Sequence, residues 1–173
     1  MRKELFQPTL EGEARLLVLI STFTTERTNL DGRTKLAKLD FFLRYQTYFK
    51  RALKIRNPQL KEVNLRISSE ETVESKMVRY RYGPWDPSYF ALLGSLIGRG
   101  LVEPVPTLRG IAYRATNKGK TLANKISDTE PWSEIAASCK LLKANFDLSG
   151  TSLKEFIYKH FPEVVEAGWG KAL

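Results

Sequence analysis

Asp86-Pro87-Ser88-Tyr89-Phe90-Ala91-Leu92-Leu93-Gly94-Ser95-Leu96-Ile97-Gly98-Arg99-Gly100, running into Leu101-Val102-Glu103-Pro104-Val105, carries the plainest structural signals in the chain. Asp86 suits an N-cap, because its short carboxylate can accept from the unpaired amides of a first turn, and Pro87 fits the first helical position. Tyr89, Phe90, Leu92, Leu93, Leu96 and Ile97 supply the apolar turns, and Arg99-Gly100 closes the helix with a glycine cap. Leu101 to Val105 and Ile111-Ala112-Tyr113-Arg114-Ala115-Thr116 then alternate as two strands around Pro106-Thr107-Leu108-Arg109-Gly110, which predicts a hairpin. Asn117 is placed to cap a further helix through Lys125, with Leu122 and Ile126 facing inward.

Upstream of this stretch, Thr9 is a plausible N-cap for a helix over residues 10 to 23, whose Leu16, Leu17, Leu19, Ile20 and Phe23 keep a buried spacing. After a break at Asn29 to Gly32, a second helix is expected to run until Asn57-Pro58 stops it. Leu36, Leu39, Phe42, Leu43, Phe49 and Leu53 form its apolar side, and Lys35, Lys38, Arg44, Lys50, Arg51 and Lys54 its other side. Residues 59 to 76 allow a short strand at Val63 to Ile67 and a helical turn capped by Ser69. Downstream, Trp132, Ile135, Ala136, Cys139, Leu142 and Phe146 mark an amphipathic helix, and a shorter one spans Leu153 to Phe161 before Pro162. The predicted class is mainly α with a small β-hairpin (α+β). A winged-helix domain would occupy residues 1 to 127, with a C-terminal helical extension over 128 to 173 packed on the same domain. The hairpin would be the wing.

Composition narrows the function. Hydrophobic residues make up 42% and charged residues 27% of the 173, so the chain can bury a core and is not of disordered type. Cys139 is the single cysteine, and neither a signal-peptide h-region nor an apolar run of membrane-spanning length is present, which implies a cytoplasmic protein that does not enter a membrane. The net charge is +9, and residues 33 to 125 hold 19 lysines and arginines against 7 acids, a local excess of +12. Such a block attracts phosphate backbones or acidic protein faces.

Catalytic patterns are tested against the chemistry they require. Asn117-Lys118-Gly119-Lys120-Thr121 is spelled like the end of a phosphate-binding loop, but the glycine needed five residues before Gly119 is Arg114, and a polar helix start is the simpler reading. Glu74-Ser75-Lys76 has the spelling of a carboxylate nuclease, yet its upstream acids, Asp40, Glu62, Glu70 and Glu71, lack the apolar strands that would hold a Mg²⁺ site. His160 is the only histidine and is expected to cap its helix, so neither a Cys/His zinc site nor a Cys-His pair can be assembled. The expectation is a protein without catalytic residues, metal or cofactor.

Binding residues can be assigned instead. A winged helix usually places its third helix in the major groove and its wing on the backbone. The DNA contacts expected on that basis are Arg79, Arg81, Tyr89, Arg99, Arg109, Arg114 and Lys118, with Ser88 and Ser95 beside them. The third helix carries one basic residue, Arg99, at its far end, which favours protein contact, with DNA touched only at phosphates. The expected partner-binding residues are Lys35, Lys38, Arg44, Trp85, Phe156, Phe161 and Trp169.

Two stretches also resemble a known family. Leu30-Asp31-Gly32-Arg33-Thr34-Lys35-Leu36-Ala37-Lys38-Leu39-Asp40-Phe41-Phe42-Leu43-Arg44-Tyr45 with Arg51-Ala52-Leu53, and Val78-Arg79-Tyr80-Arg81-Tyr82-Gly83-Pro84-Trp85-Asp86 running into Leu101-Val102-Glu103, are similar to the middle component of the ABC-three-component systems. The resemblance covers roughly residues 10 to 127. It implies a non-catalytic subunit of a bacterial anti-phage and anti-plasmid complex of the Lamassu type, bridging an SMC-like ATPase and an effector nuclease from the same operon. A free winged-helix transcriptional regulator or antitoxin is the alternative that the basic block leaves open.

Overall fold

The computed structural model describes residues 7–60, 77–80, 83–171 and 173. The strand expected at Val63 to Ile67, the turn at Ser69, the Glu74-Ser75-Lys76 triplet and the expected contact Arg81 lie outside the described residues.

The first helix, α1 (Leu10–Phe23), begins where Thr9 Oγ1 accepts from the Gly12 amide at 3.0 Å, with Glu11 and Glu13 in its first turn complementing the helix dipole. Its Leu16 to Ile20 run is buried throughout, so α1 is the central helix of the molecule. Thr24 ends it: its hydroxyl donates to Ile20 O at 2.8 Å and accepts from the Ala115 amide at 3.0 Å. That joins the end of α1 to the later hairpin.

Leu30 then makes a single antiparallel bridge with Tyr113, two amide bonds of 3.0 and 2.9 Å, before the chain enters α2 (Gly32–Arg44). Gly32 takes φ +85, a conformation side chains rarely adopt, and so turns the chain from the bridge into the helix. The second helix of the sequence reading is in fact two. It breaks at Tyr45, and α3 (Gln46–Arg56) follows. No proline or glycine marks the break. Tertiary contacts fix it, because Tyr45 Oη accepts from the Met77 amide at 2.9 Å while its ring lies 5.0 Å from Phe41 and 6.2 Å from Tyr48.

A short hairpin unread in the sequence, β1 (Val78–Tyr80) and β2 (Gly83–Trp85), precedes α4 (Tyr89–Gly98). The α4 start is two residues later than expected. Asp86 Oδ1 accepts from both the amide and hydroxyl of Ser88, at 2.8 and 2.7 Å, so Asp86 and Pro87 form a turn and Ser88 holds the cap position. The wing is β3 (Val102–Thr107) paired with β4 (Gly110–Ala115), as the alternation indicates. Helix, bridging strand, helix, helix and hairpin, with the bridge at Leu30 paired to the second wing strand, is the winged-helix order. An insertion of α3, β1 and β2 separates its second and third helices.

Next comes α5 (Asn117–Ser127), capped by Thr116, whose hydroxyl accepts from the Gly119 amide at 3.0 Å. Asn117 is therefore the first helical residue and not the cap. Gly119 is explained by packing. A Cβ there would lie 1.9 Å from the Leu101 carbonyl oxygen, so only glycine lets α5 close onto the start of the wing. The chain finishes with α6 (Trp132–Phe146), α7 (Gly150–His160) and the short α8 (Pro162–Glu166). His160 is the last residue of α7, its ring 4.7 Å from that of Phe156, and Phe161 holds the cap position. The final residues bond to β1 through Arg79 to Lys171, Gly170 to Arg79 and Leu173 to Met77 at 3.1, 2.9 and 2.9 Å.

One hydrophobic cluster runs through these elements. Its aliphatic part, Leu16, Leu19, Ile20, Leu92, Leu93, Leu96 and Val102, lies among α1, α4 and the wing. Its aromatic part, Phe41, Phe42, Phe49, Phe146 and Phe161, lies among α2, α3, α6 and α7, with ring centroids 5.2 Å apart for Phe42 and Phe146. Helix α2 contributes to both and is enclosed between them.

Candidate interaction surface

Enclosure of α2 puts charges where water cannot reach them, and the structure resolves most of them by pairing. Asp40 is fully buried. Its Oδ1 accepts from Arg15 Nε at 2.6 Å, its Oδ2 from Tyr89 Oη at 2.7 Å, and Arg44 Nη1 lies 3.7 Å away. Arg44 also donates to Asp86 Oδ2 at 2.6 Å. Two guanidinium groups thus meet two carboxylates, and α1, α2 and the head of α4 are tied together. Burial alone pushes the Asp40 carboxyl up, but Arg15 and Arg44, with the bonds from Arg15 and Tyr89, outweigh it and hold it below the usual range. Burial, followed by the Asp40 charge, pushes the Tyr89 phenol well above its ordinary value. Nearby Cys139 is buried and its thiol is pushed up by desolvation. Such a thiol is inert.

These contacts correct several expected binding residues. Tyr89 is fully buried and donates to Asp40, so it is not a DNA contact. Arg44 belongs to the same internal network, and Lys35 is buried with its ammonium 2.6 Å from Asp147. Neither is offered to a partner. Phe161 is fully buried in the aromatic core, and Phe156 packs beside it with ring centroids 6.2 Å apart. Arg79 is half-buried and donates to the Ala167 carbonyl at 2.7 Å. Arg114 braces the wing on the loop after α1, donating to Thr25 O at 2.8 Å and Asn29 Oδ1 at 3.0 Å. Ser88, buried, bonds Asp86.

The exposed set is smaller. Arg109 stands at the wing tip beside a fully exposed Leu108. Lys118 is exposed with its ammonium on the Arg99 carbonyl at 3.0 Å, and Arg99 itself is half-exposed, 3.5 Å from Glu13. Trp169 is exposed near the C-terminus. On α4 the exposed positions before Arg99 are Phe90, Ala91, Gly94 and Gly98, none of them charged or polar, and Ser95, expected as a contact, is half-buried beside them. Gly94 and Gly98 both look onto open space.

Phe90 is the feature that sequence reasoning missed. The sequence places it with the apolar turns of the helix, yet Tyr89, Leu92, Leu93 and Leu96 already complete the buried i, i+3, i+4, i+7 stripe, which leaves Phe90 outside it. It is 60% exposed, and the Arg33 guanidinium lies over its ring at 4.4 Å. Trp85 packs beside it, 6.0 Å between centroids. Together with Thr34, Ala37, Lys38, Gly83 and Pro84 these residues line a cleft of 350 Å³ at the junction of α2, β2 and the head of α4. A larger groove of 610 Å³ lies among α1, α5 and α6, but its Lys143 is bonded to the Thr22 carbonyl at 2.9 Å.

Comparison with known families, with curated proteins and with solved structures finds no match for this chain. Its surface has to be read on its own chemistry. Among the described residues no helix is long and apolar enough to cross a membrane, and no group of three or more His, Cys, Asp or Glu is arranged to hold a metal.

Proposed function

We propose that this protein is a non-catalytic winged-helix subunit that works by docking onto other proteins, with its third helix used as a contact face and not as a reader of bases. The uncharged outer face of α4, Phe90, Ala91, Gly94 and Gly98, carries this reading. Helices that read the major groove rely on arginine, lysine, asparagine or glutamine directed at base edges, and none stands here before Arg99. The resemblance of residues 30 to 45 and 78 to 86 to the middle component of Lamassu-type systems names the partners: an SMC-like ATPase and an effector nuclease of one operon, in a cytoplasmic defence complex against phage and plasmids. DNA would be touched through phosphates alone, at exposed Arg99, Arg109 and Lys118.

Co-expression with the neighbouring genes tests the reading. The chain is expected to co-purify with an SMC-like ATPase, and Gly94→Arg, which places a long cation in open space on the docking face, is expected to abolish co-purification while leaving the fold intact. A free DNA-binding regulator would behave in the opposite way, with Gly94→Arg strengthening DNA binding and no ATPase retained.

A further inference from the structure

The cleft bounded by Arg33, Lys38, Trp85 and Phe90 holds a charge with no counter-charge among the described residues. Lys38 is 1% exposed, and its ammonium has one acceptor among the described residues, the Thr34 carbonyl of its own helix at 3.2 Å. No carboxylate of the described residues pairs with it, and the Lys154 charge acts against its protonated form. Burial, with Lys154 second, pushes its pKa down to about 7. Three residues earlier Lys35 is as deeply placed but has Asp147 at 2.6 Å, so burial on this helix does not by itself leave a lysine unpaired. Lys38 also lines the cleft, and its stem passes beside Gly83, where a Cβ would sit 3.8 Å from its Cε.

We propose that this cleft receives an acidic side chain of a partner protein, its carboxylate on Lys38 and an adjoining apolar side chain on Trp85 and Phe90. The inference rests on the docking reading above and gives it an address. Two observations choose the carboxylate. Beside Arg33, Thr34 and Lys38 the cleft is lined by apolar Ala37, Pro84, Trp85 and Phe90, so an occupant that fills it brings apolar surface as well as charge. The cation lies at depth, whereas the phosphates of a duplex lie along the outside of a rod and meet exposed cations. A glutamate or aspartate on an extended or helical segment reaches inward; a phosphodiester flanked by sugars does not. Arg33, exposed and lying over Phe90, stands beside the aromatic pair, where it adds attraction for an acidic segment. Charge complementarity is therefore supplied twice, once buried and once at the surface.

The test uses the full chain labelled with ¹⁵N-lysine and the probe N-acetyl-Phe-Glu-amide, beside its Gln counterpart. The Glu probe is expected to shift the Lys38 Nζ resonance, to saturate at millimolar concentration, and to raise the Lys38 pKa by at least one unit. The Gln probe is expected to bind at least tenfold more weakly. Lys38→Met and, at the exposed wall, Phe90→Ala are each expected to weaken the Glu probe at least tenfold, with the circular dichroism of the wild type retained. Equal binding of the two probes, wild-type binding by both variants, no binding at all, or displacement of the Glu probe by a short DNA duplex would each overturn the proposal. The parent reading fails separately. If the Glu probe binds at Lys38 but no ATPase co-purifies, the docking partner is wrong and the cleft stands. If the complex forms equally with Lys38→Met and with Phe90→Ala, docking stands and the cleft is not its site.

Discussion

Helix α2 carries two buried charge systems that differ in one respect. Around Asp40 and Arg44 every charge meets its opposite, and the group joins three helices. Two residues before Asp40, the Lys38 cation has only a backbone carbonyl among the described residues. The contrast separates structure from function by electrostatics. A buried pair costs desolvation and recovers it through attraction and hydrogen bonds, whereas a buried single charge recovers little. The first arrangement serves the fold. The second adds no such tie to the fold, and the proposed partner carboxylate would supply the counter-charge it lacks among the described residues.

Breaking the paired side should produce the largest effect. Asp40→Ala leaves Arg15 and Arg44 facing each other in the interior and removes the acceptor of Tyr89. It is expected to cost about 3–5 kcal/mol, as the removal of one member of a buried pair does, measured by urea denaturation. Acid sharpens the same point. Because the folded pKa of Asp40 is depressed, its contribution is present above the unfolded carboxylate pKa, and it is lost as pH falls through the folded value. Wild type should thus lose stability in acid more steeply than Asp40→Asn.

Gly119→Ala comes next, since the new methyl group meets the Leu101 carbonyl backbone and the wing and α5 must part. Overpacking of this kind costs about 1–3 kcal/mol, to be read as a lower denaturation midpoint. On the unpaired side the sign reverses. Lys38→Met is expected to gain about 1–3 kcal/mol at pH 6 by removing a desolvated charge. The folded pKa of Lys38 is lowered to about 7, so between there and its unfolded value the unfolded chain binds the extra proton, and stability rises with pH. That rise should vanish in Lys38→Met, and denaturation at pH 7 and pH 9.5 checks it. The smallest change is at the wing, where Arg109→Glu should leave stability within about 0.5 kcal/mol of wild type. Its expected effect is on any DNA binding, whose salt dependence should flatten by roughly one phosphate contact.

How much of this was legible follows from where the signals are local. Thr9, the apolar spacing of α1, the alternation of the wing and the Leu92, Leu93, Leu96 stripe are encoded within a few residues, and the structure follows them. The break at Tyr45 was not legible, because its cause is a hydroxyl bonded to Met77, distant in sequence. The β1–β2 pair was also hidden, since each strand has three residues and β1 gains its second neighbour from the C-terminal residues. At the site, Trp85 and Lys38 were picked out, but Lys38 was assigned with Lys35 and Arg44 to a surface. A polar helix side ordinarily faces water, and the aromatic layer from α6 and α7 that encloses this one arrives a hundred residues later. Arg33 carries no signal in the sequence, because its place over Phe90 is set by how α2 and α4 pack.

The Leu30–Tyr113 bridge has a mechanical consequence. Leu30 is held to the wing by two amide bonds, and Arg33 stands three residues further along the same backbone. Force applied to the wing tip therefore follows a stiff route, through β4 and the bridge, into the first turn of α2 and the mouth of the cleft. A partner that grips both ends of that route would feel them as one rigid bracket, and tilting the wing would pry at the grip on Phe90.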